Sequence, residues 1–172
     1  MVNFRVANLA TMTTQLARAG IEVEVDPEFY PNGRFARLSD PEKNPIQLWQ
    51  PWGRDAGVEV APEIDLFFRH LERFDAGVRS GDFTSMLEQF SDQAELLFEG
   101  VPVGTFRGRE EIAAAYAMQP PDDEVLLLDE PVLADGTVSA PYCWKAERGT
   151  AAGAMHLSAA DGRIARLVVT FE

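Results

Sequence analysis

The stretch of residues 79–116 constrains the fold most, because its hydrophobic period changes twice within a short distance. Residues 83–90 place apolar side chains at helical spacing, and Asp82 precedes them with a short carboxylate that suits a helix N-cap. Residues 94–98 then alternate at the period of a strand. A second helical pattern ends near Tyr116. The stretch therefore predicts a short helix, a strand and a second helix in succession.

The same stretch carries two short motifs. One begins at Asp82 and reads D-F-x-x-M-L-x-x-F-S-D-x-A-E; the other begins at Gly108 and reads G-x-E-E-I. Together they resemble the SnoaL-like and ketosteroid isomerase branch of the nuclear transport factor two superfamily, over about residues 62–172. The resemblance implies an α+β cone, in which a curved antiparallel sheet wraps around three helices and encloses an apolar cavity. Because one fold carries many chemistries, the resemblance predicts architecture better than activity.

The resemblance to ketosteroid isomerases also predicts which catalytic groups are missing. In those enzymes a carboxylate moves a proton, while a tyrosine and a neutral aspartic acid hold the enolate oxygen. The matching patterns place the base on Phe98, the tyrosine on Phe74 and the aspartic acid on Ala154. Since none of these side chains transfers a proton, we expect no ketosteroid isomerase activity. A tyrosine of the family's hydrogen-bond network does match, at Tyr116.

We expect nine residues to converge on the cone cavity. Tyr116 and His156 are the candidate catalytic side chains, since histidine titrates near neutrality and acts as acid or base. The candidate ligand-binding residues are Phe74, Phe98, Trp144, Ala154, Leu167, Val169 and Phe171. Simple core packing explains the carbon-rich members equally well. A pocket with this lining favours uncharged, hydrophobic molecules, because it buries no carboxylate.

Three polar side chains need individual interpretation. His156 shares strand parity with Ala154 and is a catalytic residue, a hydrogen-bonded wall residue, or a residue of the outer face if the register slips. Glu99 alternates to the face opposite Phe98 and is predicted to be solvated. His70 is interpreted as lying off the apolar stripe of its helix, which predicts a surface histidine.

Residues 1–50 form a separate pattern of one strand, one helix and three strands. Asn8 is predicted to cap the helix and Gly20 to end it. The segment that begins at Tyr30, Y-P-N-G-R-F-A-R-L-S-D-P-E-K-N-P-I-Q-L-W-Q-P, is similar to half of a glyoxalase or vicinal-oxygen-chelate domain. We therefore predict a glyoxalase-like βαβββ module over residues 1–50, a linker over 51–61 and the cone over 62–172.

The resemblance to vicinal-oxygen-chelate proteins implies metal ligands at two positions of such a module. The family's histidine falls on Met1 and its glutamate on Gln47. A thioether and a neutral amide are poor ligands for a hard divalent ion, so we expect no metal and no cofactor. The family's cup contains two modules, and a lone module leaves a sheet edge uncovered. Pairing with a second copy would cover it, so we expect a homodimer; a missing upstream module is the alternative.

Composition excludes several classes of partner. A net charge of −13 argues against nucleic acid and anionic membrane surfaces, both of which require clustered Lys and Arg. No apolar run approaches the roughly 20 residues of a membrane span, and the N-terminus lacks the pattern of a signal peptide. The single cysteine, Cys143, suits a cytoplasmic protein and is expected to be buried and inert.

Two functional hypotheses follow. The first is a protein that binds a small apolar molecule in the cone cavity, without metal or covalent chemistry. The second is a metal-independent enzyme of small-molecule metabolism, such as a polyketide-type cyclase, an isomerase or a hydrolase, that uses His156 with Tyr116. Acid and base side chains that converge on one pocket favour the enzyme, whereas a wall of carbon alone favours binding.

Overall fold

The computed structural model describes residues 2–172 and divides them into two compact units. The first unit ends at Val60 and the second begins at Ala61. Each unit has a sheet of its own, so each is described by itself.

The first unit has the predicted βαβββ order. Its elements are β1 (Val2–Arg5), α1 (Leu9–Arg18), β2 (Glu24–Val25), β3 (Gly33–Ser39) and β4 (Pro45–Pro51). The sheet order is β1-β4-β3-β2, with β1 parallel to β4 and the other neighbours antiparallel. As predicted, the Asn8 side chain caps α1 by accepting a hydrogen bond from the Thr11 amide at 2.8 Å. One core cluster of this unit contains Val6, Leu9, Ala36 and Leu48, and Phe29 is also buried.

Part of the predicted linker is ordered structure of the first unit. Pairing between β3 and β4 continues to Pro51, and a 3₁₀ helix covers Gly53–Ala56. The ring of Trp52 packs edge-on against Phe29, with 5.4 Å between the ring centroids. The first unit therefore extends beyond the predicted limit of residue 50, because aromatic packing holds the segment that follows β4.

The helices of the second unit are α2 (Pro62–Ser80), α3 (Thr84–Leu87) and α4 (Gly108–Met118). Pro62 opens α2, where a missing amide hydrogen costs nothing. Asp82 accepts a hydrogen bond from the Thr84 amide at 2.9 Å, but the N-cap of α3 is Phe83, so the predicted capping position is one residue too early. α3 is shorter than the helical pattern predicted, because Phe90 already pairs with Ile164 in the sheet.

The strands of the second unit form one curved sheet. They are β5 (Phe90–Glu99), β6 (Phe106–Arg107), β7 (Val125–Leu127), β8 (Val132–Ala134), β9 (Thr137–Trp144), β10 (Gly153–Ala160) and β11 (Arg163–Thr170). The order is β6-β5-β11-β10-β9-β7, and β8 also pairs with β9. β5 and β11 are parallel, and the other pairs are antiparallel. Register shifts interrupt β10 after Ser158 and β11 after Ile164, and such bulges bend a sheet.

The core of the second unit lies between this sheet and the helices. Its fully buried side chains come from α2, α3, α4 and the central strands; the largest are Tyr142, Phe67, Phe90, Met86, Leu96 and Ile112. The predicted fold class, α+β with a βαβββ module followed by a curved sheet over helices, is confirmed. No helix within residues 2–172 combines the length and the apolar character that a membrane crossing requires.

Candidate functional site

The second unit contains a cavity of about 1000 Å³ that opens to solvent on one side. α2 and α4 form one side of it, and β5, β10 and β11 supply the opposite wall. This volume is at the upper end of the range for small-molecule pockets, which are typically apolar with a few polar groups. A cavity of this kind follows from the architecture, since side chains cannot fill the concave face of a curved sheet completely.

Seven of the nine predicted site residues line this cavity. They are Phe74, Phe98, Tyr116, Trp144, Leu167, Val169 and Phe171. The ring of Phe98 contacts those of Phe106 and Phe171, each at 6.2 Å between centroids, which gives the wall an aromatic surface. The structure thus brings these side chains together, while their role in binding a ligand stays a prediction.

The predicted placement of Ala154 and His156 at the cavity wall is wrong. Met155, between them on β10, lines the cavity, and successive residues of a strand point to opposite faces. His156 Nδ1 instead lies 2.8 Å from Ser139 Oγ, its cross-strand partner on β9. Ala154 lines a separate depression together with Ser139. The predicted catalytic use of His156 with Tyr116 therefore lacks its geometric basis.

The prediction that His70 is a surface residue is also wrong. Only 3% of His70 is exposed, and the side chain lines the cavity. Phe67 lies three positions before it and Phe74 four positions after it, so all three share the buried face of α2. This spacing is a signal in the sequence that would have indicated an inward-facing His70, and the surface prediction overlooked it.

The environment of His70 fixes the position of its ring. The ring meets Phe90 edge-on, with 5.4 Å between centroids. Its Nδ1 lies 3.3 Å from Oε1 of Gln89, a buried side chain in the turn before β5. Burial lowers the pKa of His70 to about 4, although the hydrogen bond to Gln89 opposes that shift. The imidazole is therefore neutral at neutral pH.

Tyr116 presents its hydroxyl to the same cavity. The rings of Phe83 and Phe74 pack against it at 5.2 and 6.5 Å between centroids. The hydroxyl has no hydrogen-bond partner among residues 2–172. Within these residues, every side-chain nitrogen or oxygen that is completely buried has a hydrogen-bond partner, so the hydroxyl is not completely buried. The hydroxyl is therefore accessible, and the surface that Tyr116 lines is the cavity. Burial raises the pKa of Tyr116 above its usual value, so the hydroxyl keeps its proton.

The rim of the cavity is acidic. The lining residues of the described chain include the carboxylates of Glu111, Asp122, Asp123 and Glu147 but no Lys or Arg. Two of these groups also support the backbone: Asp123 accepts from the Ala146 amide at 3.0 Å, and Glu111 from the Arg107 amide at 2.8 Å. An uncharged interior behind a negative rim disfavours the entry of anions.

Other predicted residues lie where expected. Cys143 is fully buried in β9, and Glu99 is exposed at the end of β5. Among residues 2–172, no three His, Cys, Asp or Glu side chains are grouped closely enough to hold a metal ion. Gln47 lies on β4 and accepts a hydrogen bond from Asn3 at 3.1 Å, whereas Met1 lies outside the described residues.

Comparison with solved structures reveals proteins of similar architecture. The chain is similar to a protein from Sphaerobacter thermophilus, at 20% identity over 63% of this chain and 94% of that one, with a TM-score of 0.50. It is also similar to NTF2-like proteins from Burkholderia xenovorans LB400 (13% identity, 65% and 87% covered, TM-score 0.49) and Anabaena variabilis (15%, 64% and 90%, 0.49).

No family model matches the sequence, and no curated protein matches it at a significant level. At 20% identity, the likeness to the Sphaerobacter thermophilus protein shows a shared fold alone. The chain is an α+β protein whose second unit is a curved sheet wrapped around helices and an open cavity.

Proposed function

We propose that the second unit binds a small, uncharged, apolar molecule in its cavity, without a metal ion. The observation that supports this function is a volume of about 1000 Å³ whose interior carries mainly hydrocarbon and aromatic side chains. A pocket of this composition gains binding free energy from apolar surface removed from water.

The expected affinity depends on how much of the cavity a ligand fills. A bicyclic aromatic molecule that buries roughly 200 Å² of apolar surface gains about 5 kcal/mol. Association costs of about 4 kcal/mol or more offset much of this gain. Small aromatic molecules should therefore bind weakly, and ligands that occupy more of the cavity should bind more tightly.

The enzymatic alternative is weaker because it loses its proposed base. His156 bonds to Ser139 on the face of the sheet opposite Met155, so it has no contact with a molecule in the cavity. At the positions where the resemblance places isomerase groups, the cavity presents Phe74, Phe98 and, in place of Ala154, Met155. None of these side chains transfers a proton. His70 and Tyr116 also line the cavity, but burial lowers the pKa of His70 to about 4 and raises the pKa of Tyr116, which makes the first a weak base and the second a weak acid near neutral pH. The binding function therefore takes precedence.

Fluorescence titration with two matched probes tests this proposal. N-phenyl-1-naphthylamine is neutral and apolar, and anilinonaphthalene sulfonate has the same aromatic frame with an added negative charge. We expect the neutral probe to bind at least about tenfold more tightly, because no cation of the lining residues pairs with the sulfonate.

Variants locate the bound probe. Ala115 lines the cavity from α4, so Ala115→Trp should fill part of the volume and weaken binding about tenfold or more. Ala117→Trp is the matched control, since Ala117 is exposed on α4 and is not part of the lining; His156→Ala should also leave binding unchanged. Absence of neutral-probe binding, or equal binding by Ala115→Trp and the parent, would contradict the proposal.

A further inference from the structure

We propose that His70 determines which ligands the cavity accepts, through an Nε2 atom that receives a hydrogen bond from a hydroxyl group of the bound molecule. This inference rests on the proposed binding function and adds a chemical class to it. The ligand is then an apolar molecule that carries an alcohol, phenol or enol hydroxyl.

The argument begins with the tautomer of His70. A neutral imidazole carries one proton, on either Nδ1 or Nε2. Nδ1 faces Oε1 of Gln89 at 3.3 Å, and a carboxamide oxygen only accepts hydrogen bonds. The proton therefore belongs on Nδ1, which leaves Nε2 with a free lone pair. The backbone of Gln89 is itself held in place, since its carbonyl accepts from the Ile164 amide at 2.8 Å.

The second step concerns where Nε2 points. Within residues 2–172, Nε2 of His70 has no hydrogen-bond partner, and no fully enclosed side-chain nitrogen or oxygen lacks one. Nε2 is therefore accessible, although only 3% of the residue is exposed. Since His70 lines the cavity, that accessible surface belongs to the cavity.

Packing alone does not account for a histidine at this position. Its neighbours one turn away on α2, Phe67 and Phe74, are hydrocarbon rings, and Phe90 meets the imidazole edge-on. An apolar ring would satisfy those contacts without burying a polar atom. An acceptor with no protein partner loses free energy on burial unless the ligand or a water molecule supplies a donor.

His70 and Tyr116 make different demands on a ligand. The Tyr116 hydroxyl both donates and accepts, so it pairs with an ether, a carbonyl or a hydroxyl. Nε2 of this tautomer only accepts hydrogen bonds. It therefore bonds to a ligand hydroxyl, whereas the corresponding methyl ether has no hydrogen to donate. A matched pair of ligands that differs in this one hydrogen therefore reports on His70.

Calorimetric titration with β-naphthol and β-naphthyl methyl ether tests the inference. The two probes share an apolar frame, and only the first donates a hydrogen bond. We expect the parent protein to bind β-naphthol about five- to tenfold more tightly than the ether, the ratio that one net hydrogen bond provides.

Two substitutions of His70 distinguish the contribution of Nδ1 from that of Nε2. In His70→Asn, the amide nitrogen takes the place of Nδ1 towards Gln89 while the acceptor at Nε2 is lost, so the preference ratio should fall to about one. In His70→Gln, the longer side chain carries an acceptor towards the place of Nε2, and the preference should remain severalfold. Tyr116→Phe should keep the preference while weakening both probes. A purely structural His70 would leave the ratio unchanged in every folded variant.

Long-range proton–nitrogen NMR correlations on the parent protein give a readout that needs no substitution. The sequence contains two histidines, so comparison with His156→Ala assigns the signals. We expect the Nδ1–H tautomer for His70, with an Nε2 shift that moves when β-naphthol binds and stays in place with the ether.

The outcomes are distinguishable. If both probes bind but the ratio is the same in the parent and in His70→Asn, or if Tyr116→Phe alone abolishes the preference, the role of His70 is wrong and the binding function stands. An Nε2–H tautomer in the parent also overturns it. If neither probe binds the parent, the proposed function fails, and the inference built on it fails too.

Discussion

At the scale of single residues, α2 carries two buried or partly buried groups whose pKa values shift in opposite senses. Burial lowers the pKa of His70 to about 4 and raises the pKa of Asp75 to about 6. Asp75 accepts a hydrogen bond from the Val125 amide at 3.0 Å, which only partly offsets its loss of hydration. Nearby, Glu124 raises this pKa further, while Arg79 and Lys145 lower it. Because a shifted pKa links folding to proton binding, both groups affect stability as the pH changes.

The two contributions oppose each other. Between about pH 4 and 6.5, His70 is neutral in the folded protein but protonated in the unfolded chain. Its contribution therefore lowers the free energy of unfolding as the pH falls through this range. Between about pH 4 and 6, Asp75 stays protonated in the folded protein, whereas in the unfolded chain it has lost its proton, because its pKa there is 3.8. Its contribution therefore lowers the free energy of unfolding as the pH rises through this range. In the unmodified protein the two pH dependences of the free energy of unfolding therefore partly cancel.

Asp75→Asn should remove the contribution of Asp75 and leave the pH dependence that comes from His70. Asn retains an oxygen for the Val125 amide but does not titrate. Relative to the parent, its free energy of unfolding should increase by about 1–2 kcal/mol between pH 4 and pH 7, after a discount for partial solvent screening. Urea unfolding at a series of pH values measures the difference.

Glu99→Gln, which alters an exposed carboxylate, is the control for the Asp75 substitution. A difference between Asp75→Asn and the parent that stays constant with pH would show that Asp75 titrates normally.

At the scale of the elements, the start of β10 depends on a close backbone approach. Gly153 has φ 152°, and a Cβ atom there would lie 1.8 Å from the Thr170 carbonyl oxygen. Gly162, in the turn between β10 and β11, has φ 73° and no atom within 4 Å of such a Cβ. The two glycines therefore have different reasons to be glycine: the first lacks space, whereas the second needs only a left-handed backbone.

This contrast predicts unequal costs for the same substitution. Gly162→Ala should lower the free energy of unfolding by about 1–2 kcal/mol, the cost of a left-handed alanine. Gly153→Ala should lower it by about 3 kcal/mol or more, since backbone must move on both strands. Denaturant unfolding of the two variants checks the order. Equal losses would mean that β10 and β11 separate more easily than their close approach indicates.

At the scale of the whole molecule, the first unit leaves a strand edge open. β1 pairs only with β4 within the described residues, and Val2 and Phe4 on it are 55% and 51% exposed. Open apolar edges favour pairing with another chain. The βαβββ order agrees with the interpretation of this unit as a glyoxalase-like half-module, which stays a hypothesis, as does the cytoplasmic location.

We expect self-association through this edge. Light scattering at micromolar concentration should give a molar mass near twice 19.0 kDa. Phe4→Lys places a charge on the open strand and should shift the mass towards the monomer. Val132→Lys alters an exposed apolar residue of the second unit and is the matched control. A mass of about 19 kDa for the parent would remove the prediction.

Local features were predictable from the sequence because they involve neighbours along the chain. The Asn8 cap bonds to an amide three residues later, and Asp82 bonds to one two residues later. The hairpin turns at Asp135 and Asp161 adopt positive φ values of 49° and 52°, the conformation that Asp-Gly pairs favour in tight hairpins. The apolar stripe of α2 and the alternation of β5 likewise predicted which side chains share a face, and hence most of the cavity wall.

Only the tertiary structure decided which face of β10 is the inner one and which partners surround the buried His70. Alternation along β10 separates Met155 from His156 but does not say which points inward; pairing of Met155 with Val169 settles that, and a slip of one residue reverses it. His70 owes its neutral state to burial and its orientation to Gln89, nineteen positions away. Such non-local contacts form only when the sheet closes over the helices, and no periodicity in the sequence encodes them.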